Sequence, residues 1–169
     1  IKHLTFYDDN HLFYITSAGI SLLNISTSES RLLYSNTTED FFQVPSLYYD
    51  DQLKRLWIGT GSAGLFYYDI IRKSLSDIPI RNFPKQPILA IRKDAKNTLL
   101  IGIDGQGIWN ISEKGDTILH IYKEDLNNPF SLRGDGVYDI LCDGSKNWIA
   151  TFTGKLSFFE NNNSQITPV

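Results

Sequence analysis

One stretch of about fourteen residues recurs along this chain and constrains its fold more than any other feature. It runs from Leu56 to Asp69, with the sequence LWIGTGSAGLFYYD, and reads as a short β-strand, a glycine-rich turn and a second β-strand. The segments from Leu99 to Ile111 and from Asn147 to Glu160 match it, and the segment from Leu12 to Ile25 is a version with a shortened turn.

The spacing of these copies predicts the fold. The isoleucines at the centre of each first strand, at positions 15, 58, 101 and 149, are 43, 43 and 48 residues apart. A repeat of about 40–50 residues built from short strands is typical of β-propeller blades. We therefore predict an all-β partial β-propeller of about four four-stranded blades, over approximately residues 1–40, 41–83, 84–130 and 131–169. No segment has a helical period with caps, so we expect very little helix.

Composition narrows the classes of partner. The net charge of −3 argues against a nucleic-acid partner or an anionic membrane surface. No apolar run approaches the roughly 18 residues that a membrane helix requires. Cys142 is the only cysteine and stands in an apolar run, which favours a buried, inert thiol and excludes an intrachain disulfide.

No catalytic or metal-binding constellation is evident. The histidines are scattered, at His3, His11 and His120. The acidic pairs Asp8-Asp9 and Asp50-Asp51 read as solvated turns. The glycine-rich segment Gly102–Gly107 lies between two strands with no helix after it, which indicates a blade turn and not a phosphate loop. We expect a non-catalytic segment without a metal or cofactor.

A binding role has better support in the loops. The turn between the second and third strands of a blade and the exit to the next blade open on one end of a propeller, where function concentrates. Sugar recognition needs an aromatic platform and planar hydrogen-bonding groups, and these loops contain both. The candidates are Arg81, Asn82, Phe83, Asp104, Gln106, Asn127, Phe130, Arg133 and Asp135, with Ser62 and Thr153 in neighbouring turns.

Each candidate also has an ordinary structural interpretation. An exposed loop residue without function is the alternative for every one of them, and Phe83, between prolines, can fill a blade junction instead. The three tryptophans, Trp57, Trp109 and Trp148, are predicted to be blade core. Two of them occupy the same repeat position, and repetition indicates architecture.

The repeats resemble a known family, the two-component regulator propeller repeat. The resemblance rests on Leu56–Thr60 followed by Gly64-Leu65 and Tyr68-Asp69, and on Asn128–Leu132 followed by Trp148–Thr151. It covers nearly the whole chain and is most specific in the second and fourth repeats. Departures from the family pattern are Tyr14 and Leu100, where the family prefers Trp, and Lys155, where it prefers Gly.

The resemblance implies a periplasmic sensor region of a Bacteroides-type hybrid two-component system. In that family two seven-bladed propellers and an immunoglobulin-like domain precede a membrane helix, a histidine kinase and a response regulator, and the cues are typically oligosaccharides from glycans. This chain would then be part of one seven-bladed propeller. A structural or protein-interaction propeller is the second hypothesis, and a propeller enzyme the third.

An incomplete ring raises a question about its ends. Four blades of a seven-bladed ring leave two apolar blade faces uncovered, and such faces attract partners. We expect them to be covered by the remaining blades of the same protein or by a second copy in a homodimer. Closure into a four-bladed ring is the other alternative.

Overall fold

The computed structural model describes residues 3–35, 46–152 and 156–169. The regular secondary structure in these ranges consists of β-strands alone. Sixteen strands form four four-stranded antiparallel sheets, and the strands of each sheet follow one another in chain order. The predicted fold class is confirmed: the chain is a section of a β-propeller with four blades. The boundary predicted near residues 40 and 41 lies outside the described residues. The described part contains no helix long and apolar enough to span a membrane.

The strands are short and, apart from the last one, similar in length from blade to blade. The first two blades comprise β1 (His3–Asp8), β2 (His11–Thr16), β3 (Gly19–Asn24), β4 (Ser30–Ser35), β5 (Ser46–Asp50), β6 (Arg55–Gly59), β7 (Leu65–Asp69) and β8 (Ser74–Asp77). The last two comprise β9 (Ile88–Lys93), β10 (Leu99–Ile103), β11 (Gly107–Ile111), β12 (Ile118–Tyr122), β13 (Val137–Cys142), β14 (Lys146–Thr151), β15 (Leu156–Glu160) and β16 (Thr167–Pro168).

The first strand of each blade forms the inner edge of the assembly. β1 contacts β5, β5 contacts β9, and β9 contacts β13, so successive blades are neighbours. We call the end with the turns between second and third strands, and with the exits between blades, the exit end. The opposite end, with the turns between first and second strands, is the turn end. Because strands alternate in direction, each blade places the same kinds of loop at the same end.

The hydrophobic core lies between the sheets. Each of the three blade junctions holds its own cluster of buried side chains, as expected when blades are covered on both faces. The clusters are centred on Phe13 and Ile58 between blades 1 and 2, on Trp57 and Ile101 between blades 2 and 3, and on Leu100 and Ile149 between blades 3 and 4.

The two faces of a blade carry different residues at the repeat position. Trp57 on β6 packs into the junction with blade 3, whereas its neighbour Ile58 packs into the junction with blade 1. Leu100 and Ile101 divide in the same way between blades 4 and 2. Alternation along a strand therefore assigns the tryptophan position to the following blade and the isoleucine position to the preceding one.

The predicted alignment of the first repeat is wrong by one residue. Ile15 was aligned with Ile58, yet both lie in the same cluster and face each other across the junction. Tyr14 takes the position of Ile58, and Phe13, not Tyr14, takes that of Trp57. The shorter turn of the first repeat removes one residue from the hairpin, and a slip of one residue exchanges the two faces of a strand.

An aspartate caps the turn after the inner strand of every blade. The Oδ1 atoms accept hydrogen bonds from backbone N–H groups two to four residues later, in the manner of an Asx turn. The aspartates are Asp8, Asp50, Asp94 and Asp143. The turn interpretation of Asp8 and Asp50 is thus correct, but Asp50 is not solvated: it is buried. A hydrogen bond from Trp148 Nε1, reinforced by backbone N–H groups, holds the pKa of Asp143 well below its usual range.

The outward faces of the first and last blades remain exposed. Phe6 on β1 is 62% exposed, and Leu141 on β13 is 63% exposed. Leu4 and Leu32 accompany the first, and Leu156 accompanies the second. Trp148 is therefore only partly buried, while Trp57 in the same repeat position is fully buried; the core prediction is correct for Trp57 and incomplete for Trp148.

Candidate functional site

Three of the predicted site residues come together at the exit end, where blades 3 and 4 meet. Gln106 lies in the β10–β11 turn, and its Oε1 accepts a hydrogen bond of 3.1 Å from Lys123 Nζ. Asp135 precedes β13; its Oδ1 accepts from the Glu124 backbone N–H at 2.7 Å. Asp104, also in the β10–β11 turn, is exposed beside them. Blade 3 and the segment leading into blade 4 thus contribute to one polar surface.

An aromatic side chain borders this surface. Phe152, at the end of β14, is 72% exposed, and its N–H donates to the Gly136 carbonyl at 2.8 Å. A Cβ placed on Gly136 would lie 3.2 Å from the Phe152 Cβ and 3.4 Å from Asp104 Oδ1. The ring-bearing residue and the carboxylate are therefore neighbours. We call Asp104, Gln106, Lys123, Asp135 and Phe152 the exit cluster.

The backbone beneath the exit cluster is fixed by a glycine. Gly107 has a φ of +72°, and its N–H donates to the Asp135 carbonyl at 2.9 Å. A Cβ at Gly107 would lie 2.1 Å from the Tyr122 carbonyl oxygen, closer than any real contact. Only glycine fits this position, because both the dihedral angle and the close approach exclude a side chain. The position of the β10–β11 turn against the exit from blade 3 depends on it.

The exit from blade 3 is held by its own hydrogen bonds. Ser131 Oγ accepts from the Asp125 N–H at 2.9 Å and lies 2.9 Å from the carbonyls of Asp125 and Asn128. Asn128 Oδ1 accepts from the Phe130 N–H, and Leu132 is fully buried between blades 3 and 4. The segment Asn128–Leu132, which carries the family resemblance, therefore acts as a structural anchor.

The other candidates on this exit lie apart from the exit cluster. Phe130 is half exposed and lines a cavity of about 260 Å³ together with Tyr122 and Ile166, at the outer strands of blades 3 and 4. Asn127 is exposed, and its N–H donates to Asp125 Oδ1 within the turn. The Arg133 guanidinium donates to the Pro129 carbonyl at 2.8 Å, so part of its hydrogen-bonding capacity serves the loop itself.

The candidates between blades 2 and 3 form a separate group. Phe83 packs edge-to-face on Trp109, with ring centroids 5.2 Å apart, and joins the cluster between these blades. Asn82 and Phe83 line a cavity of about 290 Å³ with Lys85. Arg81 is exposed. Phe83 therefore contributes to the blade junction, as its alternative interpretation expects.

Phe152 and Lys123 belong to the exit cluster but are not among the residues predicted from the sequence. Phe152 stands one residue before Thr153, which was proposed for the same turn and lies outside the described residues. Lys123 carried no signal in the sequence, since its contact with Gln106 depends on how the exit from blade 3 folds back over the β10–β11 turn.

A second polar network, at the turn end, was also missed. Lys93 Nζ lies 3.0 Å from Asp50 Oδ2, 2.6 Å from Glu113 Oε1 and 3.0 Å from Gln52 Oε1. Burial lowers the pKa of Lys93, but the hydrogen bonds to Glu113 and Asp50 outweigh it, and the net pKa is raised. All three N–H donors of this ammonium are engaged, so the network joins blades 2 and 3 and leaves no donor of Lys93 free for a ligand.

Comparison with solved structures finds the same fold in extracellular domains of bacterial two-component and one-component systems. The chain is similar to the extracellular domain of BT3049 from B. thetaiotaomicron, described as a hybrid two-component system, with a TM-score of 0.68 and 22% identity over 92% of this chain and 19% of that one. It is similar to the extracellular domain of BT4673 from the same organism, described as a one-component system, with a TM-score of 0.67 and 18% identity over 99% and 21%.

A designed protein shares the fold as well. The computationally designed Ika4 has a TM-score of 0.65 and 12% identity over 91% of this chain and 87% of that one. At these identities the likeness shows the fold alone, and the chain spans about a fifth of the two B. thetaiotaomicron domains. No protein-family model matches the chain, and no curated protein matches it.

Proposed function

We propose that this chain is a non-catalytic, ligand-sensing section of the periplasmic sensor region of a hybrid two-component system, a sensor histidine kinase and response regulator in one protein. The observation that carries the proposal is the match of all four blades to extracellular domains described as bacterial two-component and one-component systems. The repeat motifs at Leu56–Thr60 and Asn128–Leu132 support it independently. Fold alone does not decide function, so the ligand has to be argued from a site.

The exit cluster is the surface that we propose for an oligosaccharide derived from a glycan. Asp104 and Asp135 offer carboxylate acceptors, Gln106 offers an amide, and Lys123 offers a cation, all suited to sugar hydroxyls. The exposed ring of Phe152 supplies a platform for the apolar face of a sugar ring. These are the two kinds of group that sugar binding requires, and here they are adjacent.

The position of the cluster suggests how binding would be transmitted. Asp104 and Gln106 belong to blade 3, whereas Asp135 precedes the first strand of blade 4 and Phe152 follows its second strand. A ligand that contacts both sides would favour the relative setting of blades in which both sets of contacts form. Binding shifts the equilibrium between two arrangements of the blades only if the ligand binds one arrangement more tightly than the other. The size of the shift is set by the difference between the two binding free energies.

The test is a calorimetric titration of the chain with a panel of oligosaccharides released from dietary and host glycans. We expect at least one to bind, and expect Gln106→Ala and Phe152→Ala each to weaken that binding about tenfold, the loss of one hydrogen bond or one stacking contact. Gln165→Ala is the control for the amide, because Gln165 is exposed and lies outside the exit cluster. Phe6→Ala is the control for the ring.

Two results would count against the proposal. Binding that is unaffected by both substitutions would place the ligand elsewhere on these blades. Absence of binding across the panel would reject ligand sensing by this section and favour the second candidate function.

That second candidate is an interaction platform without a direct ligand. The observation in its favour is the exposure of large apolar side chains on the outward faces of blades 1 and 4. The remaining blades of the same protein, or a second copy in a homodimer, would cover them. Light scattering over a concentration series distinguishes a monomer near 19.3 kDa from a larger species. A compact monomer at all concentrations would contradict pairing between copies.

A further inference from the structure

A cavity at the turn end, between blades 1 and 2, carries an inference independent of the exit cluster. It has a volume of about 260 Å³ and opens beside the outer strands of blade 1 and the β7–β8 turn. Its apolar walls include Tyr7, Phe13, Leu22, Tyr68 and Ile70. Phe13 and Tyr68 are almost completely buried, so the floor is formed by core side chains. The cavity is therefore part of the blade junction and not a depression in a loop.

Two cations stand at the rim of this cavity. Arg31, at the start of β4, and Lys73, in the β7–β8 turn, both line it and are both exposed. Among the described residues neither has an ion pair within 4.0 Å or a side-chain hydrogen bond, whereas the neighbouring Arg72 lies 3.9 Å from Asp69. Glu29 lines an adjoining groove together with Arg31. Two positive charges with no anionic partner in the described part of the chain, beside an apolar cavity, favour an anion.

The electrostatics of the floor agree with this placement. Burial raises the pKa of Tyr68, and the positive charge of Arg31 opposes that shift. The guanidinium is therefore close enough to the cavity floor to act on a group buried there. The Asp69 carboxylate acts on Tyr68 in the opposite direction, but it is engaged with backbone N–H groups of the β7–β8 turn.

The floor is poorly suited to a sugar. The Tyr68 hydroxyl already donates to the Leu33 carbonyl at 3.4 Å, and the Tyr7 hydroxyl interacts with Tyr49. Apart from these hydroxyls and the two cations at the rim, the side chains that line the cavity are hydrocarbon or aromatic ring. Several hydroxyls entering this space would lose their hydrogen bonds to water without replacement, which costs free energy for each group. A flat apolar ring meets no such penalty and stacks against the aromatic walls.

We propose that this cavity binds a small aromatic carboxylate, whose ring enters between Tyr7, Phe13 and Tyr68 and whose carboxylate is held at the rim by Arg31 and Lys73. The volume suits one or two fused rings and is slightly below the range for drug-sized ligands. Arginine holds carboxylates in a two-point arrangement, while lysine adds a point charge. The site lies at the end of the blades opposite the exit cluster, so either can exist without the other.

The experiment is a calorimetric titration of the 169-residue chain with 2-naphthoate, with the neutral amide 2-naphthamide as the probe of matched shape, and with glucuronate as a polar carboxylate. We expect 2-naphthoate to bind with a Kd of about 1 mM or tighter, as its size allows, and at least about tenfold more tightly than the amide. Glucuronate is expected to bind more weakly still. Raising the salt concentration should weaken the carboxylate and leave the amide unchanged.

The variants separate the charges from the ring. Arg31→Met combined with Lys73→Met should abolish the preference for 2-naphthoate over 2-naphthamide, while Arg72→Met, an exposed neighbour that does not line the cavity, should retain it. All three substituted side chains are exposed, and a urea titration of each variant checks that the fold is kept. The proposal would be overturned if the acid and the amide bound equally well, or if glucuronate bound more tightly than 2-naphthoate. It would also be overturned if the double variant had no effect, or if 2-naphthoate did not bind at a concentration 10-fold above the expected Kd.

Discussion

Replacing Lys93 by methionine tests whether the network at the turn end stabilises the junction of blades 2 and 3. The Lys93 side chain is 8% exposed and that of Asp50 1%, while Glu113 is 33% exposed. Methionine keeps the length of the aliphatic stem but removes the charge and its three hydrogen bonds. Asp50 would then be a buried carboxylate facing no cation.

The expected loss follows from the surroundings of Asp50. Removing one partner of a buried ion pair typically costs about 3–5 kcal/mol, because the other charge is left unpaired. Here Asp50 Oδ1 keeps the N–H groups of Gln52 and Leu53. Glu113 can turn its free oxygen to solvent. We therefore expect a loss at the lower end of that range, about 3 kcal/mol of the free energy of unfolding.

The pH dependence has a definite sign. The pKa of Lys93 is raised in the folded protein above its ordinary value of 10.5. The stabilisation is thus fully present below the unfolded pKa and is lost as the pH rises through the raised folded pKa. The difference between wild type and Lys93→Met should be constant between about pH 7 and 9 and should shrink only in strongly alkaline solution.

Urea unfolding followed by tryptophan fluorescence measures the difference. Lys54→Met is the matched control: Lys54 Nζ lies 2.5 Å from Asp51 Oδ1, but these side chains are 42% and 74% exposed. Exposed ion pairs contribute about 0–1 kcal/mol, so the control should change the free energy of unfolding by less than about 1 kcal/mol. If Lys93→Met costs no more than Lys54→Met, the network does not stabilise the junction and the reasoning fails.

Three further predictions concern the blade architecture. Gly107→Ala should lower the free energy of unfolding in urea by more than about 3 kcal/mol, because the new Cβ meets a backbone carbonyl. Gly105→Ala, also at positive φ but in open space, should lower it by about 1–2 kcal/mol. Equal losses would contradict this prediction. Trp57→Ala should cost about 3–5 kcal/mol by the same measurement, and Trp148→Ala clearly less, since only the first is fully buried; a similar loss for both would mean that Trp148 is covered in solution. Burial raises the pKa of Cys142 to about 11, so at pH 8 about one molecule in a thousand carries the thiolate. Alkylation of Cys142 by iodoacetamide, followed by mass spectrometry, should therefore be slow in the native chain and fast in urea. Rapid alkylation of the native chain would refute this prediction.

The blades were predictable because their evidence in the sequence is periodic. A strand, a glycine-rich turn and a strand, repeated at a spacing of 40–50 residues, leave few folds that bury every copy. The position of Gly102 shows why the copies agree: a Cβ there would lie 2.9 Å from a Val137 methyl of the next blade. A Cβ at Gly59 would lie 2.5 Å from an Ile88 methyl of blade 3, so the same packing constraint acts in both interior copies.

The sites were less predictable because they depend on contacts between non-equivalent loops. Lys93 reads in the sequence as an ordinary charged strand end, and its burial follows only when blade 2 brings Asp50 against it. Phe152 and Asp104 are 48 residues apart and meet through Gly136. In the first repeat a turn shorter by one residue was enough to assign Ile15 to the wrong face. The spacing of the repeats identifies the strands, whereas the contacts of each side chain depend on the loops and blades that lie next to it in the fold.

Trp148 shows the same limit and gives it a structural meaning. It occupies the position of Trp57 but has no following blade among the described residues, so its face remains partly exposed. The opposite outward face, on blade 1, presents Tyr14 where interior blades present Ile58 and Ile101. One face is the tryptophan type and the other the isoleucine type, which are the two surfaces that pair at every interior junction. Any blade added to either end, from the same protein or from a second copy, would therefore join head to tail, in the same geometry as blades 1 to 4.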